Sequence, residues 1–138
     1  MIAMNQMRTT FLFLLFLSGI LVSCKKITTP TDESKKLFGS WTYDGNTGGF
    51  TGAGGSNRFS VDSSVEFTES GIFKVYVGSV QQSQKNFTIE LKESIYDVNP
   101  RTALVYDNGE YETFQIFNDT LYLSDELYDG YTYRFIRN

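Results

Sequence analysis

From about residue 37 to its end the chain alternates apolar and polar residues in short runs. Phe87, Ile89 and Leu91 share one side of the stretch Asn86 to Lys92, with Thr88, Glu90 and Lys92 on the other. Val65 and Phe67 alternate with Ser64, Glu66 and Thr68, and Phe73, Val75 and Val77 with Lys74 and Tyr76. Leu121 and Leu123 alternate with Thr120, Tyr122 and Ser124, and Tyr131, Tyr133 and Phe135 with Thr132 and Arg134. Successive side chains of a strand point to opposite faces, so each run predicts a strand with one buried face. Adding Gly39 to Asp44, Thr102 to Tyr106 and Tyr111 to Phe117 gives about eight strands. Arg58 to Val61 and Ser94 to Val98 read as extensions of these or as separate edges. Helical periodicity is confined to Asp32 to Phe38, one turn capped by Thr31 or Asp32.

The interruptions say how the strands are joined. Glu69-Ser70-Gly71, Asp97 to Arg101 with Pro100, Asp107-Asn108-Gly109, Asn118-Asp119 and Asp129-Gly130 are turn sequences. Asn and Gly tolerate the positive φ that tight hairpins demand, so neighbouring strands are expected to be antiparallel. One interruption is longer: Gly45 to Ser56 holds six glycines in twelve residues. Loops of that length in a compact domain are lids, binding loops or disordered segments. No Gly-Lys-Ser/Thr follows it, which argues against a phosphate-binding loop. The strand Tyr111 to Phe117 leaves its inward face open: if Tyr111 and Phe117 point in, Thr113 and Gln115 accompany them.

The front of the chain has a different pattern. Phe11 to Val22 is an apolar run of twelve residues behind a single positive charge at Arg8. A spanning helix needs about 20 apolar residues, so this is too short to cross a bilayer and has the form of a secretory signal. Met7 is an alternative start that would make the signal more compact. Leu21-Val22-Ser23-Cys24 resembles the lipobox of bacterial lipoproteins. The resemblance implies cleavage after Ser23, a diacylglycerol on the Cys24 thiol and an acyl group on its amine. Residues 1–23 would then be the signal, 24–36 a lipidated tether, and 37–138 the folded domain, with the membrane as a partner through the lipid. Cys24 is the chain's only cysteine, so no internal disulfide competes for it. Lys25-Lys26-Ile27-Thr28 contains no acidic run of the kind that marks surface export in Bacteroidetes lipoproteins, which implies the periplasmic face of the outer membrane.

Charge and composition narrow the chemistry. From Leu37 onward 7 basic residues face 14 acidic ones, a net of −7. Nucleic acid is not an expected partner, since it rewards clustered Lys and Arg. The chain has no histidine. With that go the usual general base and, with cysteine, the usual zinc ligands, so neither a catalytic residue, a metal nor a cofactor is expected. Asp125-Glu126 with Asp129 lacks the spacing of a calcium loop and reads as a solvated turn. Glu110 and Glu112 share a strand face, but nothing in the sequence predicts a paired acid and base.

About eight antiparallel strands, each with one apolar face, suggest an up-and-down barrel, in which closure removes exposed edges. At Gly39-Ser40-Trp41 the chain resembles the Gly-x-Trp that opens the first strand of lipocalin-like (calycin) barrels, of the kind found in small lipoproteins of the Bacteroidetes. The resemblance covers residues 37–138 and implies an all-β fold: an eight-stranded antiparallel barrel with a short helical turn before the first strand. It also implies a lid at the Gly-rich loop and a floor where an arginine of the last strand, Arg134 or Arg137, covers Trp41 by a cation–π contact. The candidate barrel lining is Phe67, Phe73, Val75, Phe87, Ile89, Leu91, Tyr111, Gln115, Tyr133 and Phe135. The function implied is binding of a small apolar or amphipathic ligand. The competing reading is a barrel filled by its own side chains, serving as a protein-interaction or inhibitor module of the cell envelope.

Overall fold

In the computed structural model, residues 32–49 and 58–138 are described. The expectations for the signal, Cys24, residues 24–31 of the tether and residues 50–56 of the Gly-rich stretch lie outside them. A four-residue helix α1 (Asp32–Lys35) precedes β1 (Gly39–Gly48), β2 (Ser63–Phe67), β3 (Ile72–Val77), β4 (Val80–Ser94), β5 (Asp97–Tyr106), β6 (Tyr111–Phe117), β7 (Thr120–Asp125) and β8 (Tyr131–Arg137). The strands follow one another round a closed antiparallel barrel, and β8 returns to β1. The expected fold class is therefore the observed one. The turns explain the connectivity: Asn118 at φ 53° and Gly109 at φ 83° hold the left-handed conformation that short hairpins need.

Up-and-down order sorts the connections to two ends. The entry to β1 and the β2–β3 and β6–β7 turns lie at one end, here the floor; the β4–β5 hairpin leaves from that end, but its tip, Ser94 to Tyr96, reaches Asp125 to Leu127 at the β7–β8 connection. The β1–β2, β3–β4, β5–β6 and β7–β8 connections lie at the other, the mouth. The floor is closed by Trp41, which is fully buried and donates its Nε1 proton to Leu37 O at 2.8 Å. The Arg137 guanidinium lies 4.1 Å from the Trp41 ring and donates to Phe38 O at 3.3 Å and to Lys36 O. Arg137 is thus the arginine over Trp41. Arg134 points outward and pairs with Asp44 at 2.6 Å.

Three strand limits depart from the sequence reading. Gly45 to Gly48, expected as loop, continue β1 past an irregularity between Tyr43 and Gly45 and pair with Arg134 to Tyr131. The glycines are tolerated there because the ladder to β8 supplies the order that their side chains do not. Strand β4 begins at Val80, ahead of the alternating run, and β5 begins at Asp97 and takes in Pro100. Proline is accepted because β6 pairs with β5 only at Ala103 to Val105, which leaves Pro100 on an edge where no ladder needs its missing proton.

Leu91 to Thr102 therefore form an arm beyond the wall of the barrel, paired within itself at Leu91 with Thr102 and Ser94 with Asp97. The arm folds against the outer face of β6. Its Glu93 O accepts from the Tyr111 hydroxyl at 3.1 Å. Ser94 Oγ and Ile95 N donate to Glu126 at 3.1 and 2.9 Å, and Thr113 Oγ1 donates to the same carboxylate at 2.5 Å. Alternation puts Ala103, Thr113 and Ser124 on the outer face, and this contact accounts for their burial.

Candidate functional site

The lumen between floor and mouth is filled by aromatic side chains. Phe67 stacks on Phe73 at 4.9 Å, and Phe87 meets Phe67 edge-on at 5.9 Å. Phe59, which follows the Gly-rich stretch, enters the barrel and packs edge-on against Tyr133 and Phe135 at 5.0 and 5.1 Å. Of the expected lining, Phe67, Phe73, Phe87, Tyr133 and Phe135 are buried core, and Val75 and Ile89 pack against it partly buried. Such offset and edge contacts stabilise beyond the area they bury.

Three expected lining residues are placed elsewhere. Leu91 keeps the inward phase of β4 but stands on the arm, 65% exposed. Gln115 is exposed on the outer face of β6. Tyr111 does not enter the lumen: it sends its hydroxyl to the arm while its side lines the mouth. The inward face of β6 is Glu112, Phe114 and Ile116, because Phe114 and Ile116 lie opposite Leu123 and Leu121 of the core. The face that holds Tyr111, Thr113, Gln115 and Phe117 is the outer one.

That orientation carries Glu112 into the barrel just below the mouth, 5% exposed. Its neighbours across the sheet are Leu104 on β5 and Asp125 on β7. Arg58, anchored beside Phe59, places a guanidinium nitrogen against Glu112 Oε1 and lies 4.8 Å from the centres of both the Phe59 and Tyr133 rings. The Tyr106 hydroxyl donates to the other Glu112 oxygen. Lys85, in phase with Phe87 on β4, sits 4.8 Å over the Tyr106 ring. Asp125 accepts from Tyr133 Oη and Tyr131 N, both at 3.3 Å. Together with Glu110, Glu126 and Leu127 these groups wall a cleft of about 380 Å³.

Burial raises the pKa of the Glu112 carboxyl, and Asp125 adds to the rise, against the opposing pull of Arg58 and Tyr106. Burial works against the charge of Arg58, yet the Glu112 carboxylate, with smaller contributions from Tyr106 and Asp125, leaves its pKa raised. Tyr106 is pushed well up by burial and by the adjacent Glu112, so its hydroxyl stays a proton donor at any physiological pH. Tyr133 is also raised, by burial and then by Asp125. Glu112 Oε1 is partnered by the Arg58 guanidinium.

Among the described residues no three His, Cys, Asp or Glu side chains gather as metal ligands. Asp125 and Glu126, expected as a solvated turn, are instead bonded, Asp125 within the mouth and Glu126 under the arm. Sequence reasoning missed Arg58, Lys85, Tyr106 and Glu112. For Glu112 there was a signal: the two-residue turn Asn118-Asp119 fixes Phe117 opposite Thr120, hence Phe114 opposite Leu123. Once Leu121 and Leu123 are taken as core, Glu112 must share their side. Arg58 had no such signal, since it follows the Gly-rich stretch and belongs to no strand.

Comparison of the chain with protein-family models, with curated proteins and with solved structures finds no match.

Proposed function

We propose that this chain is a lipid-anchored envelope protein whose lipocalin-like barrel holds a small amphipathic ligand at its mouth. The observation that carries the reading is the mouth cleft of about 380 Å³, where a cation, a buried carboxylate and a tyrosine hydroxyl converge. Pockets for small ligands run from about 300 to 1,000 Å³ and combine apolar walls with a few convergent polar groups. A wholly apolar ligand held deep in the lumen is not part of the proposal, because the core aromatics occupy that space. The polar end of the ligand lies among Arg58, Glu112 and Tyr106, and its apolar part lies against Tyr111 and Leu127. The protein acts by binding, and no catalytic step is assigned to it.

The anchor rests on Leu21-Val22-Ser23-Cys24, and several acyl chains at one residue make membrane attachment stable where one gives marginal binding. The protein purified from its native envelope in mild detergent should release one class of small amphiphile on extraction, identified by mass spectrometry. A cleft found empty, with no amphiphile raising the melting temperature, refutes ligand binding. Cys24→Ala should leave unprocessed, unacylated precursor. Digestion of the domain by protease added to intact cells would refute the periplasmic placement.

A second reading, an interaction module, is favoured by Leu127 and Tyr128, 66% and 94% exposed side by side beside the arm residue Tyr96. An envelope protein captured by the parent and lost with Tyr128→Ser would support it.

A further inference from the structure

The arm stands outside the ladders of the barrel. Strand β3 pairs with β4 only as far as Asn86, and β6 pairs with β5 only from Ala103. The arm's two strands therefore have only each other, and a two-stranded ribbon is marginally stable in water by itself. What fastens it to the barrel is polar. Glu126 accepts from Ser94 Oγ, Ile95 N and Thr113 Oγ1, the Tyr96 hydroxyl lies 3.1 Å from both Asp125 O and Leu127 O, and the Tyr111 hydroxyl donates to Glu93 O. Apolar burial adds little: the arm covers the small side chains of Ala103, Thr113 and Ser124, while its own Leu91, Ile95 and Val98 stay exposed. Hydrogen bonds exchanged for bonds to water contribute little each, so lifting the arm costs far less than opening the wall around its aromatic core.

The residues that the arm grips also wall the mouth. Asp125, Glu126 and Leu127 line the cleft. The Asp125 carboxylate meets Tyr131 N and Tyr133 Oη at the mouth, whereas Glu126 reaches out to the arm. Leu127 O takes Tyr96 from the arm and Gly130 N from within its own loop. One short segment thus has the arm on one side and the cleft on the other. Lifting the arm removes Ser94, Ile95 and Tyr96 from it at a stroke.

We propose that the arm is a strap on the mouth: it lifts as a unit while the barrel stays folded, and its lifting loosens the Asp125, Glu126 and Leu127 wall of the cleft. As a gate for ligand it rests on the ligand-binding reading above. Closed, the strap holds Leu127 in place beside the cleft; lifted, it lets Leu127 move away and widens the way in.

The test is amide hydrogen exchange of the purified full chain, read residue by residue by NMR with no ligand added, so that its outcome is separate from that of the ligand-binding reading. The Ile95 amide and the arm's own ladder amides should exchange together, at least about a hundredfold faster than Phe87, whose amide is bonded to Gly71 O. Low denaturant that quickens Phe87 should leave the arm's rates nearly unchanged, since lifting exposes little surface. Tyr96→Phe deletes only the hydroxyl at the arm's tip and should quicken the arm amides about three- to tenfold while Phe87 keeps its rate. Glu126→Gln, which leaves one oxygen where two served three donors, should act the same way and more strongly. Gly130, bonded through its amide to Leu127 O, should quicken with the arm in both variants. Arm amides that exchange no faster than Phe87, or that ignore both substitutions, would overturn the strap. Arm amides that quicken while Gly130 keeps the parent rate would overturn its hold on the mouth.

Discussion

Both ends of this barrel lay an arginine over aromatic rings, and the two arrangements serve different ends. At the floor, Arg137 covers the Trp41 ring at 4.1 Å and spends donors on the carbonyls of Phe38 and Lys36. Those acceptors are neutral backbone groups of the segment leading into β1, so the contact fastens the chain's entry and leaves no net charge to balance. At the mouth, Arg58 lies at 4.8 Å from two rings but faces Glu112, a carboxylate buried away from water. The floor is satisfied within itself. The mouth instead balances the buried charge of Glu112 against that of Arg58.

The sharpest way to break this contrast is at the floor. Trp41→Ala removes a fully buried side chain that carries its own hydrogen bond and the Arg137 stack. It should cost roughly 3–5 kcal/mol, a large part of the 5–15 kcal/mol typical of a domain, read as a lowered denaturation midpoint. Ligand affinity of whatever remains folded should be unchanged. A variant that melts with the parent would mean that the floor is not the closure described.

At the mouth the corresponding change is Arg58→Ala, which leaves Glu112 without its ion pair. A fully buried pair broken from one side costs about 3–5 kcal/mol, but the Arg58 side chain is 36% exposed, so about 1–2 kcal/mol is expected at neutral pH. The pH dependence gives the sign. The Glu112 carboxyl has a folded-state pKa raised above its unfolded value, chiefly by burial. Its contribution to stability is therefore fully present below the unfolded value and is lost as pH rises through the folded one. The cost of Arg58→Ala should shrink on acidification, as Glu112 becomes neutral and no longer needs a cation. In Glu112→Gln, whose side chain does not titrate, that part of the pH slope should vanish. A cost independent of pH would show that Arg58 acts by packing alone.

The difference between the ends also governs what could be read in the sequence. The floor was legible because local signals carry it: Gly39-Ser40-Trp41, a short helical turn before it, and an arginine in an alternating final strand. Only the choice between Arg134 and Arg137 needed the structure, since it depends on the register between β1 and β8 and on the irregularity at Tyr43. The wall was legible wherever apolar alternation was clean, as at Phe87 and Ile89. The mouth was not, because its parts come from five separate segments and one of them, Arg58, has no periodicity. Leu91 was misplaced for a related reason. Alternation tells which side a residue faces, but not where the barrel stops, and the pairing of β5 with β6 ends at Ala103.

Charge-conserving substitutions separate the two arginines more finely. Arg137→Lys keeps a cation but loses the planar fork that stacks on Trp41 and reaches two carbonyls at once, for which about 1 kcal/mol is expected. Arg58→Lys keeps the charge beside Glu112, which is its main role, and should cost no more than about 0.5 kcal/mol. Equal losses at both ends, measured by urea unfolding of the two variants side by side, would erase the distinction between a stacked clamp and an ion pair.

The smallest effect is expected at Leu91, and it tests where the barrel wall ends. Its inward phase on β4 would make it core if the wall continued that far, and a buried leucine cut back to serine would lose roughly 2–5 kcal/mol. Leu91 instead pairs with Thr102 on the arm and is 65% exposed, with no β6 ladder alongside to close the barrel around it. Leu91→Ser should therefore change stability by no more than about 0.5 kcal/mol, whereas Phe87→Ala, four residues earlier on the same face, should cost about 3–5 kcal/mol. The ratio of the two costs, from parallel denaturant titrations, locates the boundary between wall and arm. Comparable losses at both positions would move that boundary outward and make the base of the arm part of the barrel wall.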